Sequence, residues 1–363
     1  MTEEFDAPLA RHTTLHVGGP ARRLVTVTTT DDLVDAVRET DDADEPLLIL
    51  GGGSNVVLPD EGFAGTVVKV ATSGVTRESV DACGGALVRV AAGEVWDALV
   101  TQAVQEGWSG VEALSGIPGS VGATPVQNVG AYGQEVAQTI AQVRTWDRHA
   151  QAVRTFFAAD CGFAYRHSLF KASDRYVVLD VLFQFVLGDY STPIAYADLA
   201  TQLDVGLGAR VPLGAAREAV LAQRRRRGMV LDPHDHDTWS CGSFFTNPIL
   251  SEAGFERLAA RVRERLGGDA VPPRYPGESG QVKTSAAWLI ERAGFARGFG
   301  LAREAGLSGR ASLSTKHTLA LTNRGAATAA DILALARTVR DGVYAAFGVA
   351  LVNEPILVGQ PGL

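Results

Sequence analysis

The 363-residue chain is 46% hydrophobic with a formal net charge of −8, enough apolar material for two or three cores but no cationic surplus for broad nucleic-acid binding. It opens on the acidic Met1-Thr2-Glu3-Glu4 and has no run of about 18 apolar residues, which argues against export and membrane spanning and predicts a cytoplasmic protein. Its three cysteines, Cys83, Cys161 and Cys241, are odd in number and widely spaced; they read as packed thiols, and no metal site is assigned.

In chain order, Leu47–Leu50, Thr66–Val70 and Leu87–Ala91 are apolar runs bounded by Gly, Pro or Asp on at least one side, and they read as strands. Between Gly93 and Gly107, Trp96, Leu99, Val100, Ala103 and Val104 recur at helical spacing, and glycine closes the helix. The β-branched run Tyr176–Val186 predicts a buried strand. From Leu187 to Gly228 polar and small residues dominate, ending in Arg224-Arg225-Arg226-Arg227-Gly228, a shift that places a domain boundary near residue 228. The arginine run is either the solvated end of a helix or an anion-binding patch. Ser251–Leu266 and Thr284–Ala293 then read as helices around the proline-rich Val271–Pro276. Thr328–Phe347 sets Ile332, Leu335, Val339, Val343 and Phe347 on one helical face, with Thr328 as N-cap.

Two glycine-rich segments carry the chemistry. Leu48-Ile49-Leu50 runs into Gly51-Gly52-Gly53-Ser54-Asn55, a strand ending in small residues whose backbone N–H groups can approach an anion such as a diphosphate. The spacing is not that of the Rossmann fingerprint, and a tight turn is the alternative reading. Ser115-Gly116-Ile117-Pro118-Gly119-Ser120-Val121-Gly122-Ala123 continues through Gln127-Asn128-Val129-Gly130-Ala131-Tyr132-Gly133 with no charged residue among its glycines. A backbone of this kind suits a flat ligand better than a core, and long irregular loops are uncommon without function.

These segments resemble the FAD-binding loops of UDP-N-acetylenolpyruvoylglucosamine reductases, within the wider vanillyl-alcohol-oxidase-like flavin fold. Three further stretches agree, in the same order along the chain: Thr13-Thr14-Leu15-His16-Val17-Gly18-Gly19; Gly162-Phe163-Ala164-Tyr165-Arg166-His167-Ser168, with Ala164 in place of glycine; and Gly242-Ser243-Phe244-Phe245-Thr246-Asn247-Pro248. The resemblance implies FAD as cofactor, NADPH as co-substrate and reduction of a UDP-sugar enolpyruvyl ether to UDP-N-acetylmuramate. It implies an α+β architecture: a two-part FAD-binding region, residues 1–73 with a C-terminal strand in 350–363 and residues 74–228, followed by a UDP-sugar domain over 229–349. A monomer acting on small molecules is expected.

The resemblance also assigns roles. Arg166, Ser243 and Glu354 match the catalytic arginine, proton donor and glutamate. Gly51, Gly52, Gly53, Ser54, Asn55, Ser115, Gly116, Ile117, Pro118, Gly119, Gly122, Ala123, Gln127, Asn128, Gly130, Ala131 and Tyr132 match the cofactor loops. Tyr196, Arg227, Asn247 and His317 fall where the family contacts the UDP-sugar, and Tyr196 points to the subclass with the longer loop. The chain departs at Gly52, where glutamate is common, at Thr246 and Arg227, where lysine is common, and at Val352-Asn353, where Glu-Pro usually stands. An oxidase of the same fold and a catalytically silent UDP-sugar sensor are the rival readings; the catalytic motifs disfavour both.

Overall fold

The computed structural model describes residues 1–171, 173–277, 280–359 and 363; positions 172, 278, 279 and 360–362, which fall inside the expected domains, lie outside the described residues. The chain divides into two units, each discontinuous in sequence. Met1–Ala7, Pro20–Gly53 and Phe63–Val230 make the first, and Pro8–Gly19, Ser54–Gly62 and Leu231–Leu363 the second.

The first unit begins with strand Pro20–Val27, which pairs in parallel with Phe63–Val70; that strand pairs in parallel with Leu47–Leu50, and Thr2–Pro8 forms the other edge. Helix Thr30–Asp42 is the crossover from Pro20–Val27 to Leu47–Leu50, the two strands that flank Phe63–Val70. Thr29 caps it by accepting from the Asp32 N–H at 3.1 Å, and Leu33, Ala36 and Val37 are buried. A second, antiparallel sheet runs Ala152–Phe157, Ile140–Asp147, Tyr176–Leu187, Gly85–Ala91, Val75–Asp81, and Trp108–Ser109 pairs with the end of Tyr176–Leu187. The Tyr176–Leu187 strand is buried from Val177 to Phe183. That stretch includes Asp180, whose carboxylate accepts from Arg89 at 2.8 Å and Arg144 at 2.6 Å, the pairing a buried charge requires. Helix Trp96–Gln105 packs Trp96, Leu99, Val100 and Ala103 into this core, as the periodicity between Gly93 and Gly107 predicts.

Residues 187–228 are more ordered than their composition suggests. Helices Ala197–Leu203 and Leu213–Arg226 occupy the region, and the second buries Leu213, Ala216, Ala219, Val220 and Leu221. Alanines at its contact face let it pack closely while leaving only a faint apolar signal in the sequence.

In the second unit, helices Glu252–Leu266, Ala286–Arg292 and Ala329–Phe347 contribute to a core with the antiparallel pair Ala311–Leu313 and Leu321–Asn323. Each helix start carries a hydroxyl cap, from Ser251, Ser285 and Thr328, and Thr328 forms a reciprocal capping box with Asp331. The opening motif is anchored here: the Thr14 hydroxyl donates to the Ser240 carbonyl at 2.7 Å, and the Asn323 amide donates to the carbonyls of Leu15 and His16, both at 3.1 Å. Val56–Val57 pairs in parallel with Ile356–Leu357. No helix among the described residues is long and apolar enough to cross a membrane.

Candidate active site

In the first unit the two glycine segments meet backbone to backbone. A Cβ on Gly52 would stand 2.5 Å from the Gly119 Cα, so the loops approach more closely than any side chain at this position would permit. The second loop is pinned from behind. Trp96 N–H donates to the Gly119 carbonyl at 3.0 Å, Val121 N–H to the Glu94 carbonyl at 2.9 Å and Gly122 N–H to the Ala92 carbonyl at 2.8 Å. Asp97 accepts from the Gly116 N–H at 2.6 Å and holds Arg217 through both carboxylate oxygens at 2.7 and 2.9 Å.

Below the loop, Glu112 is buried but fully engaged, accepting from the Gly110 N–H, the Gln134 amide and the Thr192 N–H at 2.7, 2.9 and 2.6 Å. Lys69, on strand Phe63–Val70, donates to the Gly51 carbonyl and brings a cation behind the first loop; burial lowers its pKa.

Whether these loops suit a flavin nucleotide can be judged from their donors. Among the described residues, no backbone hydrogen bond engages the N–H groups of Gly52, Gly53 or Gly119, although Gly53 is buried. Buried N–H groups are rarely left so, and converging ones form a cradle for phosphate oxygens. FAD fits this donor set: the loops would hold its diphosphate.

Not every residue of the second segment offers its side chain to a ligand. Ser115 is buried and its hydroxyl donates to the Glu112 carbonyl at 2.7 Å. Asn128, also buried, donates to Glu135 at 2.8 Å and to the Ala164 carbonyl at 3.1 Å, and accepts from the Ala137 N–H at 3.1 Å. These two side chains shape the loop.

Arg166 sits at the tip of a tight turn closed by paired hydrogen bonds between Ala164 and His167, each 3.1 Å. Its φ of 53° lies in the left-handed region, an unusual conformation for a residue other than glycine, asparagine or aspartate. The guanidinium donates to the Gly130 carbonyl at 2.6 Å, which joins the expected catalytic arginine to the second glycine segment. Farther along that segment, the Tyr132 ring meets Tyr196 edge-on at 5.6 Å. Arg227 is ion-paired with Asp198 at 2.9 Å, two residues beyond Tyr196. Four residues assigned to three roles therefore lie on connected elements of one unit.

The second unit gathers the others. Gly242, with φ of 71° in the left-handed region, makes a turn immediately before Ser243. The Phe244 N–H donates to the Leu319 carbonyl at 2.7 Å and its carbonyl accepts from the Glu354 N–H at 2.8 Å, while Phe245 bridges to Asn353. The residue after Ser243 is thereby tied to Glu354 and to Leu319, two residues beyond His317. Asn353 donates to the Pro355 carbonyl at 2.8 Å, so the departure at Val352-Asn353 supplies its own local brace. The Asn247 side-chain oxygen accepts from the Ala286 N–H at 3.0 Å, at the start of helix Ala286–Arg292. Lys69, Asp97 and Glu112 escape a reading by motif. Their one signal is a charged residue inside an otherwise apolar run.

Against known families, residues 21–155 match a model described as FAD binding domain, and with the loop geometry this makes the chain a flavoprotein. Residues 232–358 match the UDP-N-acetylenolpyruvoylglucosamine reductase C-terminal domain. The UDP-N-acetylenolpyruvoylglucosamine reductase of Thermobifida fusca is 57% identical over 361 residues, covering 99% of both chains, and that of Streptomyces avermitilis is 57% identical over 99% of this chain and 96% of its own. The crystal structure of the Thermus caldophilus reductase superposes with a TM-score of 0.62 at 25% identity, covering 98% of each chain. The chain belongs to the UDP-N-acetylenolpyruvoylglucosamine reductase family.

Proposed function

We propose that the chain reduces UDP-N-acetylglucosamine enolpyruvate to UDP-N-acetylmuramate, a step of peptidoglycan precursor synthesis. One observation carries the reading: a chain related over its full length to these reductases joins open-donor glycine loops to a unit in which Ser243 and Glu354 flank Phe244. Held by the glycine loops, FAD would supply the redox chemistry, the relay of hydride from NADPH to the enolpyruvyl double bond.

The protein's part is charge and proton management. Addition of hydride leaves an enolate-like centre next to the substrate carboxylate. Arg166 is suited to hold that carboxylate, because a guanidinium stays charged and binds carboxylates bidentately. Its bond to the Gly130 carbonyl presets the side chain. Glu354 shares in stabilising the centre, and the Ser243 hydroxyl delivers the proton; a serine is a weak acid, but a basic carbon is a willing acceptor when geometry is fixed. Tyr196, Arg227, Asn247 and His317 contact the UDP-sugar, with Arg227 the candidate for its diphosphate.

We assign residues 1–73 and 74–228, with the segment 350–363, to cofactor binding and 229–349 to the UDP-sugar, and place the protein in the cytoplasm as a monomer, which light scattering tests. Stopped-flow spectroscopy tests the chemistry. Ser243→Ala should bleach with NADPH as the parent does, yet reoxidise with the enolpyruvyl substrate about 10²- to 10⁴-fold more slowly. Unchanged reoxidation would remove Ser243 from the mechanism.

A further inference from the structure

The four-arginine run resolves into residues with different surroundings. Arg225 and Arg226 are exposed at the end of helix Leu213–Arg226, and Arg226 donates to Gln202. Arg227 pairs with Asp198. Arg224 turns inward: its Nε is buried and has no hydrogen-bond partner among the described residues, and it lies 3.5 Å from where a Cβ on Gly116 would stand, behind Leu221 Cδ2 at 2.8 Å and Val230 Cγ2 at 3.1 Å.

We propose that Arg224 is a cofactor-binding residue whose Nε donates to a negatively charged oxygen of the bound flavin nucleotide. The proposal rests on the assignment of FAD to the glycine loops. A buried guanidinium nitrogen without an acceptor is costly, and native proteins seldom tolerate one. The protein offers only a partial answer, since the Arg224 Nη2 donates to the Met229 carbonyl at 2.8 Å and no ion pair to a carboxylate forms among the described residues. Asp97, whose charge acts on Arg224, is already occupied by Arg217 and the Gly116 N–H. Burial pulls the Arg224 guanidinium down to about 10, leaving it cationic at neutral pH without a dedicated counter-charge. The second glycine segment beside it contains no charged residue. An anion that binds against Gly116 would satisfy the open donor and the unbalanced charge together.

The test compares flavin release from the parent holoenzyme with Arg224→Gln, which keeps a donor for the Met229 carbonyl, Arg224→Lys, which keeps the charge, and the exposed control Arg225→Gln. Arg224→Gln is expected to raise the FAD dissociation constant about 10- to 100-fold and to flatten its dependence on salt, as loss of a charge-assisted hydrogen bond requires. Arg224→Lys should keep the salt dependence, and Arg225→Gln should match the parent. An unchanged midpoint potential of the bound flavin in Arg224→Gln places the contact at the diphosphate and supports the proposal, whereas a lowered one places it at the uncharged flavin ring and overturns it. Parental FAD affinity in Arg224→Gln overturns it, as does equal weakening in Gln and Lys variants with the parental salt dependence retained, the mark of a purely structural arginine. A parent protein that neither carries nor takes up FAD would instead overturn the cofactor assignment itself.

Discussion

Replacing Gly52 by alanine adds one methyl group where the structure leaves no room. Its carbon would stand 2.5 Å from the Gly119 Cα and 2.9 Å from the Gly119 carbonyl carbon. Non-bonded carbons settle about 3.5–4.0 Å apart, so the two loops must separate by about 1 Å. Conformational strain adds nothing, because Gly52 lies outside the left-handed region. Neither can the second loop simply yield, since the Gly119 carbonyl is tied to Trp96 at 3.0 Å and Gly122 to Ala92 at 2.8 Å.

Overpacking of this kind costs about 1–3 kcal/mol. Expressed in the geometry proposed to hold the cofactor, that is about 5- to 150-fold in FAD affinity. The assay is recovery of flavin fluorescence on dilution, with melting temperature read in parallel. Gly214→Ala, on helix Leu213–Arg226 with nothing beyond its own helix and chain neighbours within 4 Å of the new methyl among the described residues, serves as control and should stabilise by about 0.4–1 kcal/mol without touching the flavin. If Gly52→Ala binds FAD and melts as the parent does, the closeness of the two loops has no role in holding the cofactor.

Two further outcomes are expected. Burial tends to raise the Asp331 carboxyl, but Arg310 at 2.9 Å and the Thr328 cap outweigh it and hold the group at about 2. The ordinary value is about 3.9, so this contribution to stability is complete above about pH 4 and drains away as pH falls toward 2. Asp331→Asn should lower the melting temperature at neutral pH and reduce the loss of stability across that window; an identical acid dependence in both proteins would contradict the assignment. Of the three thiols, Cys83 is exposed, while burial pushes Cys161 and Cys241 up to about 12. One equivalent of thiol should react rapidly with an aromatic disulfide in the native protein and three after denaturation; a second fast thiol would contradict the packing.

Legibility in the sequence followed the physical size of the signal. Helix Ala329–Phe347 was plain because Ile332, Leu335, Val339, Val343 and Phe347 are large and regularly spaced, and because Thr328 caps it. Helix Leu213–Arg226 was not, since Ala216, Ala219 and the polar Gln223 make up half of its buried residues. Strand Val75–Asp81 is exposed nearly throughout and carries no alternating apolar pattern. In the candidate site the glycine loops announced themselves as places of close backbone approach, and Gly52 against Gly119 supplies a reason for that spacing. Which glycines face one another, and which polar side chains are consumed internally, depended on pairings far apart in sequence. The bonds from Asn128 to the Ala164 carbonyl and from Arg166 to the Gly130 carbonyl each span 36 positions. No local pattern encodes such a bond.

The parallel pairing of Val56–Val57 with Ile356–Leu357 imposes an order on biosynthesis. Ile356 N–H donates to the Asn55 carbonyl at 3.0 Å and Val358 N–H to the Val57 carbonyl at 3.1 Å, so the segment continuing the first glycine loop finds its neighbour only about 300 residues later. A ribosome releases those residues long after Gly51–Gly53 has emerged. A nascent chain paused before residue 356 would therefore hold the near half of the loop on its own strand while the far half waits unpaired. Completion of the second unit, with the Glu354 N–H bonded to the Phe244 carbonyl, therefore waits until residue 356 has emerged.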